Sequence, residues 1–442
     1  MRYAIKSFSL SLMLLNVALG GCISSPVVGG NNRESGDSSV FPNPARLYTK
    51  WNSWKDSVEW SQEDKENAVR YTEVIFAVPL GEIEHMRQLK HALNPNVKLL
   101  RYINIWPRGA EKLADYTDRM LIHRDWPNQN GVILRFRSLE DECGRDIVDV
   151  SRRETREEMA RVIEILLDPQ GEYRYDGIFF DLSAWEALWY EVSALDVTLP
   201  GDPECKPIRR SDKNAPFVTN DYYHKSADFL VAYHKFLRER AIGEKMHIFN
   251  GMPNEPDDWA FAPPGFQNSD FYLSQYLDTA RVDGGQMDTT FVHGQGKATE
   301  ERWLFQLEMM RRFITHDPPK YFLAKVHSED DDKLEYGFAS YLLGTDGRHA
   351  LFGAMGRADW DTNPIMRAPL GNFVGDYQPI AGLSYVFQRQ FENGIVIVNA
   401  HSSLEQMVVL PIGRYQDVRR GTIHQSAISI PAQSGRILIK IQ

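Results

Sequence analysis

Short apolar segments alternate with polar segments of helical pattern along most of the chain. Eight of the apolar segments have the length of a β-strand. They are Arg46–Trp51, Thr72–Pro79, Val97–Asn104, Tyr175–Ser183, His247–Gly251, Gly284–Phe291, Lys320–His327 and His349–Gly353. Apolar spacing of three and four residues, or a capping residue before an acidic turn, predicts helices between them. The predicted helices are Ser61–Arg70, a helix around Met86, Ser151–Leu167, Asp221–Arg240, Thr299–Phe313 and Leu334–Leu343.

The fourth apolar segment, Tyr175–Ser183, ends in a carboxylate at Asp181. An unbroken apolar run predicts a parallel strand that is covered on both faces. Asp181 would then stand at the C-terminal end of the strand, which is the end that faces the active site in barrels and open α/β sheets. Asp176 lies about 16 Å away at about 3.3 Å per strand residue, so both aspartates cannot occupy one site.

The alternation of eight strands with helices predicts an α/β fold, a closed (β/α)8 TIM barrel over residues 45–382. Two long excursions, 106–150 and 186–220, are expected as elaborated loops. From Leu383 the apolar pattern changes to a period of two. This change predicts a small C-terminal antiparallel β-sandwich domain over residues 383–442.

The N-terminal 22 residues have the layout of a secretory signal. Arg2 and Lys6 precede an apolar stretch, and the segment Leu19–Cys22 resembles a bacterial lipobox, in which the cysteine carries lipid. The apolar stretch is too short for a stable membrane span, and residues 23–44 have the composition of a flexible tether. We therefore expect an exported lipoprotein held to a membrane only by lipid on Cys22, on the periplasmic face or the cell surface. An ordinary signal with a chance cysteine is the alternative.

The net charge and the residue spacing of the chain argue against several classes of partner. The formal net charge is -10, so there is no overall basic character to suggest nucleic-acid binding. No His and Cys spacing indicates a metal site, and we expect no cofactor and a monomer. The acidic run Ser328–Asp332 fits a solvated helix start or, less commonly, a calcium contact. Cys143 and Cys205 either form a disulfide or remain free.

With these elements in place, the chain resembles the uncharacterised glycosyl-hydrolase-like TIM-barrel proteins over about residues 45–441. The resemblance rests on the order of five motifs, Asn94–Lys98, Asp176–Asp181, His247–Gly251, Val282–Gly285 and Phe391–Ala400. Similar barrels, such as α-galactosidases and endo-α-1,4-polygalactosaminidases, place an aspartate nucleophile after strand four and an acid/base carboxylate after strand six. The resemblance implies these roles for Asp181 and Asp288. A glutamate is expected where this chain has Asp288.

Hydrolysis of a glycosidic bond by this chemistry needs two carboxyl groups at one site. Polar and aromatic side chains near the strand ends could bind or stack on a polysaccharide or oligosaccharide. The predicted substrate-binding residues are Asn104, Trp106, Trp185, Asn250, Lys325, His327 and Trp360. A structural role is the alternative for each of these residues and for both aspartates. Two other functions remain open, a barrel that binds glycan without cleaving it and another barrel enzyme such as a lyase or transglycosylase.

Overall fold

The computed structural model describes residues 46–51, 60–104, 135–136, 145–146, 153–181, 230–252, 273–287, 290–293, 296–327, 330–355 and 363–441. All of them belong to one compact unit, Phe41–Gln442. The predicted signal, the tether to residue 44 and Cys22 lie outside these residues, as do Cys143 and Cys205. Among the helices within these ranges, none is long and apolar enough to cross a membrane.

Eight parallel strands form one sheet in chain order. The strands are β1 Tyr48–Lys50, β2 Val74–Phe76, β3 Lys98–Asn104, β4 Gly177–Asp181, β5 Met246–Asn250, β6 Gly284–Met287, β7 Tyr321–His327 and β8 Ala350–Met355. A parallel bridge between Leu47 and Phe352 brings the first strand to the last, so the sheet curls into a barrel. The prediction of eight barrel strands is confirmed.

Several barrel strands are shorter than predicted, and the reason is visible at β2 and β6. Strand β2 loses its N-terminal end because Thr72 caps the preceding helix, and its hydroxyl donates to the carbonyl of Ala68. Strand β6 ends at Met287. Farther along, the backbone N–H of Thr290 donates to the Lys325 carbonyl at 2.8 Å, and Phe291 adopts a left-handed φ of 61°. These backbone constraints are not visible in the apolar pattern.

Five α-helices are described, together with shorter helical turns. The helices are α1 Gln62–Tyr71, α2 Ile83–Leu93, α3 Arg153–Leu167, α4 Glu300–Ile314 and α5 Asp331–Gly344. A 3-10 turn spans Leu80–Glu82, and helical residues 230–237 continue into a π-helical turn, Arg238–Ile242. A second π-helical turn spans Gln275–Thr279. Ser61, Thr299 and Asp330 cap α1, α4 and α5, so the described end of the acidic run is a helix start, as predicted.

The apolar residues of the strands divide into two layers, because successive strand side chains face opposite sides. On β4, Phe179 faces the barrel interior, whereas Ile178 and Phe180 pack toward the helices. The interior layer contains Tyr48, Val74, Phe76, Leu100, Phe179, Ile248, Leu323, Leu351 and Met355. This division makes it possible to say which polar side chain at a strand end faces the barrel mouth.

The C-terminal region is antiparallel, as the period-two pattern predicts. Its strands are β9 Gln378–Pro379, β10 Val386–Phe391, β11 Gly394–Asn399, β12 Gln406–Val409, β13 Arg414–Asp417, β14 Ile423–His424, β15 Ala427–Ile430 and β16 Ser434–Ile441. Six form a sheet in the order β9-β10-β11-β16-β13-β14, and β12 pairs with β15. Apolar residues from both sheets form one cluster. The sandwich architecture and the boundary at residue 383 stay predictions.

Helix α5 joins the barrel to the C-terminal sheet. Every residue from Leu334 to Gly344 is buried, as expected for a helix with neighbours on all sides. Gly337 lies against Val326 of β7, and Gly435 of β16 lies against Ala339 of α5. These close contacts bring the two regions together without an intervening side chain.

Two further pairs of short strands lie outside the barrel sheet and the C-terminal sheets. Arg135–Phe136 pairs with Arg145–Asp146, and Val292–His293 pairs with Gly296–Lys297. The first pair contains the end of the apolar segment 131–136 in the predicted excursion after β3.

Candidate active site

Asp181 is the last residue of β4 and lies at the C-terminal end of the barrel. Phe179 faces the interior, so Asp181, two positions later, lies on the same side of the strand. Its Oδ1 accepts a hydrogen bond from Nδ2 of Asn250 at 2.6 Å, and its Oδ2 accepts one from the hydroxyl of Tyr102. Donors from the two neighbouring strands therefore hold both carboxylate oxygens.

Asn250 is the last residue of β5, and only 6% of it is exposed. It lies at the same end of the barrel as Asp181. Its amide nitrogen is engaged by Asp181, so in this structure the amide orients a carboxylate. A contact between Asn250 and a sugar stays a prediction.

Tyr102 on β3 was not among the predicted site residues. Its ring stacks on Phe179 with centroids 5.9 Å apart, and the ammonium nitrogen of Lys50 lies 4.9 Å from its ring centroid. The alternation of side chains along the strand could have identified Tyr102 as a residue facing the mouth, because Leu100 faces the interior and Tyr102 follows two positions later. Lys50 likewise follows the interior residue Tyr48 on β1.

The opposite wall of the interior also carries polar groups. Lys325 on β7 follows the interior residue Leu323 by two positions and is 7% exposed. Its partner in register on β8 is Gly353, where a Cβ would lie 2.6 Å from the Tyr48 ring. Deeper in the barrel, the amide of Gln286 donates to the Tyr48 hydroxyl at 3.0 Å. Lys50 and Lys325 therefore lie at the same end of the barrel as Asp181.

Two aspartates at the other end of the barrel have structural contacts. Asp176 accepts from the ammonium of Lys90 at 2.7 Å and from the backbone N–H of Leu99 at 2.9 Å. Asp283 accepts two hydrogen bonds from the guanidinium of Arg238, at 3.0 and 3.1 Å, and one from the backbone of His247. Each carboxylate joins the start of a neighbouring strand to a cation. Asp176 directly precedes β4 and Asp283 directly precedes β6, so both lie at strand starts, away from Asp181.

A buried histidine pair supports β5 from outside the barrel. Nδ1 of His234 and Nε2 of His247 lie 2.8 Å apart, and both side chains are fully buried. Their other ring nitrogens have no hydrogen-bond partner within the described part of the chain. Burial lowers the pKa of His234 to about 3. Burial, followed by the charges of His234, Arg238 and Lys320, lowers the pKa of His247 well below its ordinary value.

Several predicted site residues are not tested by the geometry. Asp288, Trp106, Trp185 and Trp360 lie outside the described residues. Asn104 is in register with Asp181 and His327 with Met355, and only the backbone is described at Asn104 and His327. Across the described ranges no group of three or more His, Cys, Asp or Glu side chains could hold a metal ion. The contributions of these residues to catalysis or binding stay predictions.

The model of one protein family matches most of the barrel. Residues 91–395, more than half of the chain, match hypothetical glycosyl hydrolase family 15. The chain belongs to this family. The resemblance drawn from the sequence motifs is thereby confirmed, and the family assigns the chain to the hydrolases of glycosidic bonds. No curated protein matches the sequence significantly.

Solved structures of several carbohydrate-active enzymes are similar to this chain at low sequence identity. The glycoside hydrolase domain of PelA from Pseudomonas aeruginosa is 7% identical, with a TM-score of 0.38, and the match covers 70% of this chain and 94% of that one. An α-amylase from Lactobacillus plantarum is 10% identical, with a TM-score of 0.45, covering 90% and 99%. A pullulanase from an Anoxybacillus species, complexed with maltotriose, is 10% identical, with a TM-score of 0.44, covering 93% and 72%.

Proposed function

We propose that this protein is a retaining glycoside hydrolase that cleaves a polysaccharide outside the cytoplasm, with Asp181 as nucleophile and Asp288 as acid/base. The observation that carries the proposal is the position of Asp181, which ends a barrel strand and has both oxygens held by donors from the flanking strands. The mouth of a (β/α)8 barrel is where such enzymes place their reacting groups. Asp288 follows the interior residue Gln286 by two positions in the sequence.

In this reaction, an oxygen of Asp181 forms a bond to the anomeric carbon while the glycosidic C–O bond breaks. The electron pair of the broken bond stays on the leaving oxygen, which takes a proton from the Asp288 carboxyl. Asp288 then removes a proton from water, and that water displaces Asp181 from the sugar. Asn104, Trp106, Trp185, Asn250, Lys325, His327 and Trp360 are the proposed substrate contacts.

The purified protein and two variants, Asp181→Asn and Asp288→Asn, are assayed on a panel of polysaccharides and 4-nitrophenyl glycosides. We expect Asp181→Asn to abolish turnover, because an amide of nearly equal shape cannot attack the anomeric carbon. Asp288→Asn should retain more activity on aryl glycosides than on polysaccharides, because aryl leaving groups need little protonation. The matched control is Asp278→Asn, since the Asp278 side chain is 59% exposed and pairs only with His316 among the ion pairs described.

Retention also predicts a distance. In a crystal structure the carboxyl groups of Asp181 and Asp288 should lie about 5 to 5.5 Å apart, whereas about 6.5 to 9.5 Å would indicate inversion. A separation above about 12 Å is beyond either mechanism and would exclude the pair. Polysaccharide that binds without being cleaved under any condition would favour the glycan-binding barrel.

The proposed location is a membrane facing the periplasm or the cell exterior, reached by export and held by lipid on Cys22. The lipobox-like segment Leu19–Cys22 and the tether that follows support it. A tether of about 20 residues would allow the barrel to reach polymer at a distance from the lipid.

A further inference from the structure

We propose that Tyr102 and Lys50 are positioning residues that hold one oxygen of Asp181 ready for attack. The inference rests on the proposed role of Asp181 as the nucleophile, and it adds two residues that neither the motifs nor the family match assigns. Its basis is a chain of contacts across three strands. Lys50 of β1 lies over the Tyr102 ring of β3, and the Tyr102 hydroxyl donates to Asp181 of β4.

The two oxygens of Asp181 have different surroundings. Oδ1 accepts from Asn250, which is buried, whereas Oδ2 accepts from Tyr102, which is only partly buried. The anomeric carbon of a substrate has to approach from the open side of the mouth. The geometry therefore assigns Oδ2 as the attacking oxygen and Oδ1 as the anchored one.

The Tyr102 hydroxyl contributes orientation. As the bond to the anomeric carbon forms, negative charge leaves Oδ2, so a hydrogen bond to that oxygen weakens toward the transition state. It cannot raise the rate by stabilising charge that is disappearing. What it supplies is a fixed carboxylate plane, so that Oδ2 already points at the place where the substrate will lie. The phenol keeps its proton throughout, and the tyrosine undergoes no net chemistry.

The Tyr102 ring is held by an aromatic neighbour and by a cation. It stacks on Phe179, which packs on Phe76 with ring centroids 4.1 Å apart. The ammonium of Lys50 lies at cation–π distance from the ring and draws electron density toward itself. A ring polarised in this way is a better hydrogen-bond donor through its hydroxyl. Lys50 is therefore expected to act on Asp181 through Tyr102.

The test compares Tyr102→Phe, Lys50→Met and the double variant on the 4-nitrophenyl glycoside that the wild-type enzyme cleaves fastest. We expect Tyr102→Phe to lower kcat by about ten- to a hundredfold, because a carboxylate that is no longer held in one plane is misplaced for attack and a misplacement of about 1 Å can cost about a hundredfold, with KM changed less than about twofold. Lys50→Met should lower kcat by about two- to fivefold. In the Tyr102→Phe background, Lys50→Met should have almost no further effect.

Two control variants remove a tyrosine hydroxyl and a lysine ammonium at the other end of the barrel. Tyr321→Phe deletes the hydroxyl of a partly buried interior tyrosine at the start of β7, and Lys98→Met deletes an exposed ammonium at the start of β3. Both should keep wild-type kcat. Circular dichroism and urea midpoints check that all variants are folded.

Each possible outcome decides between roles. If Tyr102→Phe keeps the wild-type rate while Tyr102→Ala loses it, the ring matters only for packing and the proposal is overturned. If Lys50→Met has the same effect with and without the Tyr102 hydroxyl, Lys50 does not act through Tyr102. If Asp181→Asn itself remains active, the proposed function fails, which is a result distinct from either of these.

Discussion

One buried arginine helps to attach the C-terminal sheet to helix α5. The guanidinium of Arg389 on β10 donates to the carbonyls of Leu342, Leu343 and Thr345 at 3.2, 3.0 and 2.7 Å, and to that of Gly375 at 3.0 Å. The last carbonyls of a helix have no partner within the helix, and a positive charge there is favourable. Arg389→Met removes all four hydrogen bonds while keeping much of the apolar stem.

The expected loss follows from two opposing effects. Hydrogen bonds to a charged group contribute about 1.5 to 3 kcal/mol each, and breaking a buried charged arrangement costs about 3 to 5 kcal/mol in total. Methionine also removes the cost of burying a charge, which is real here because burial lowers the pKa of Arg389 to about 10. We therefore expect Arg389→Met to lower the free energy of unfolding by about 3 kcal/mol. Arg389→Lys should lose nearly as much, because an ammonium lacks the planar fork.

Urea unfolding followed by tryptophan fluorescence measures this change. The buried Trp303 stacks on Phe387, which lies on β10 together with Arg389, and the two ring centroids are 5.0 Å apart. Arg414→Met is the control, because Arg414 is exposed on β13. A value for Arg389→Met within about 1 kcal/mol of the control would refute the reasoning. It would mean that water or other donors satisfy the four carbonyls.

Three further predictions concern stability and location. His234 and His247 stay neutral in the folded protein, but the unfolded chain takes up protons below about pH 6.5. Stability should therefore be full above that pH and fall below it by up to about 1.4 kcal/mol per pH unit for each histidine. Urea midpoints from pH 7 to 4.5 measure the slope, and an equally steep fall after replacement of both by leucine would contradict it. Gly435→Ala should lower the free energy of unfolding by about 1 to 3 kcal/mol, since the new Cβ would lie 2.6 Å from that of Ala339, and an unchanged urea midpoint would show that the strand can shift freely. Cys22→Ser should abolish labelling by radioactive fatty acid and release the protein from membranes, and equal labelling would exclude the lipobox.

Much of the barrel could be predicted from local pattern. Strands covered on both faces are continuous apolar runs, so all eight were predictable in order. Helix starts were predictable where a capping side chain precedes acidic residues, as at Thr299. Strand-end logic separated Asp181 at the mouth from Asp176 and Asp283 at the opposite end. These features depend on a few consecutive residues, and that is why the sequence by itself determined them.

The environment of Asp181 was decided only by the tertiary structure. Alternation shows which side of a strand a residue faces, but it does not show which residue on another strand it will meet. Tyr102 is 79 positions from Asp181 and Asn250 is 69 positions away, yet parallel register brings both to its oxygens. Lys50 reaches the Tyr102 ring because β1 and β3 flank β2 in the sheet and both residues follow an interior residue by two positions. Such contacts depend on the order and register of neighbouring strands, which no single segment of the chain encodes.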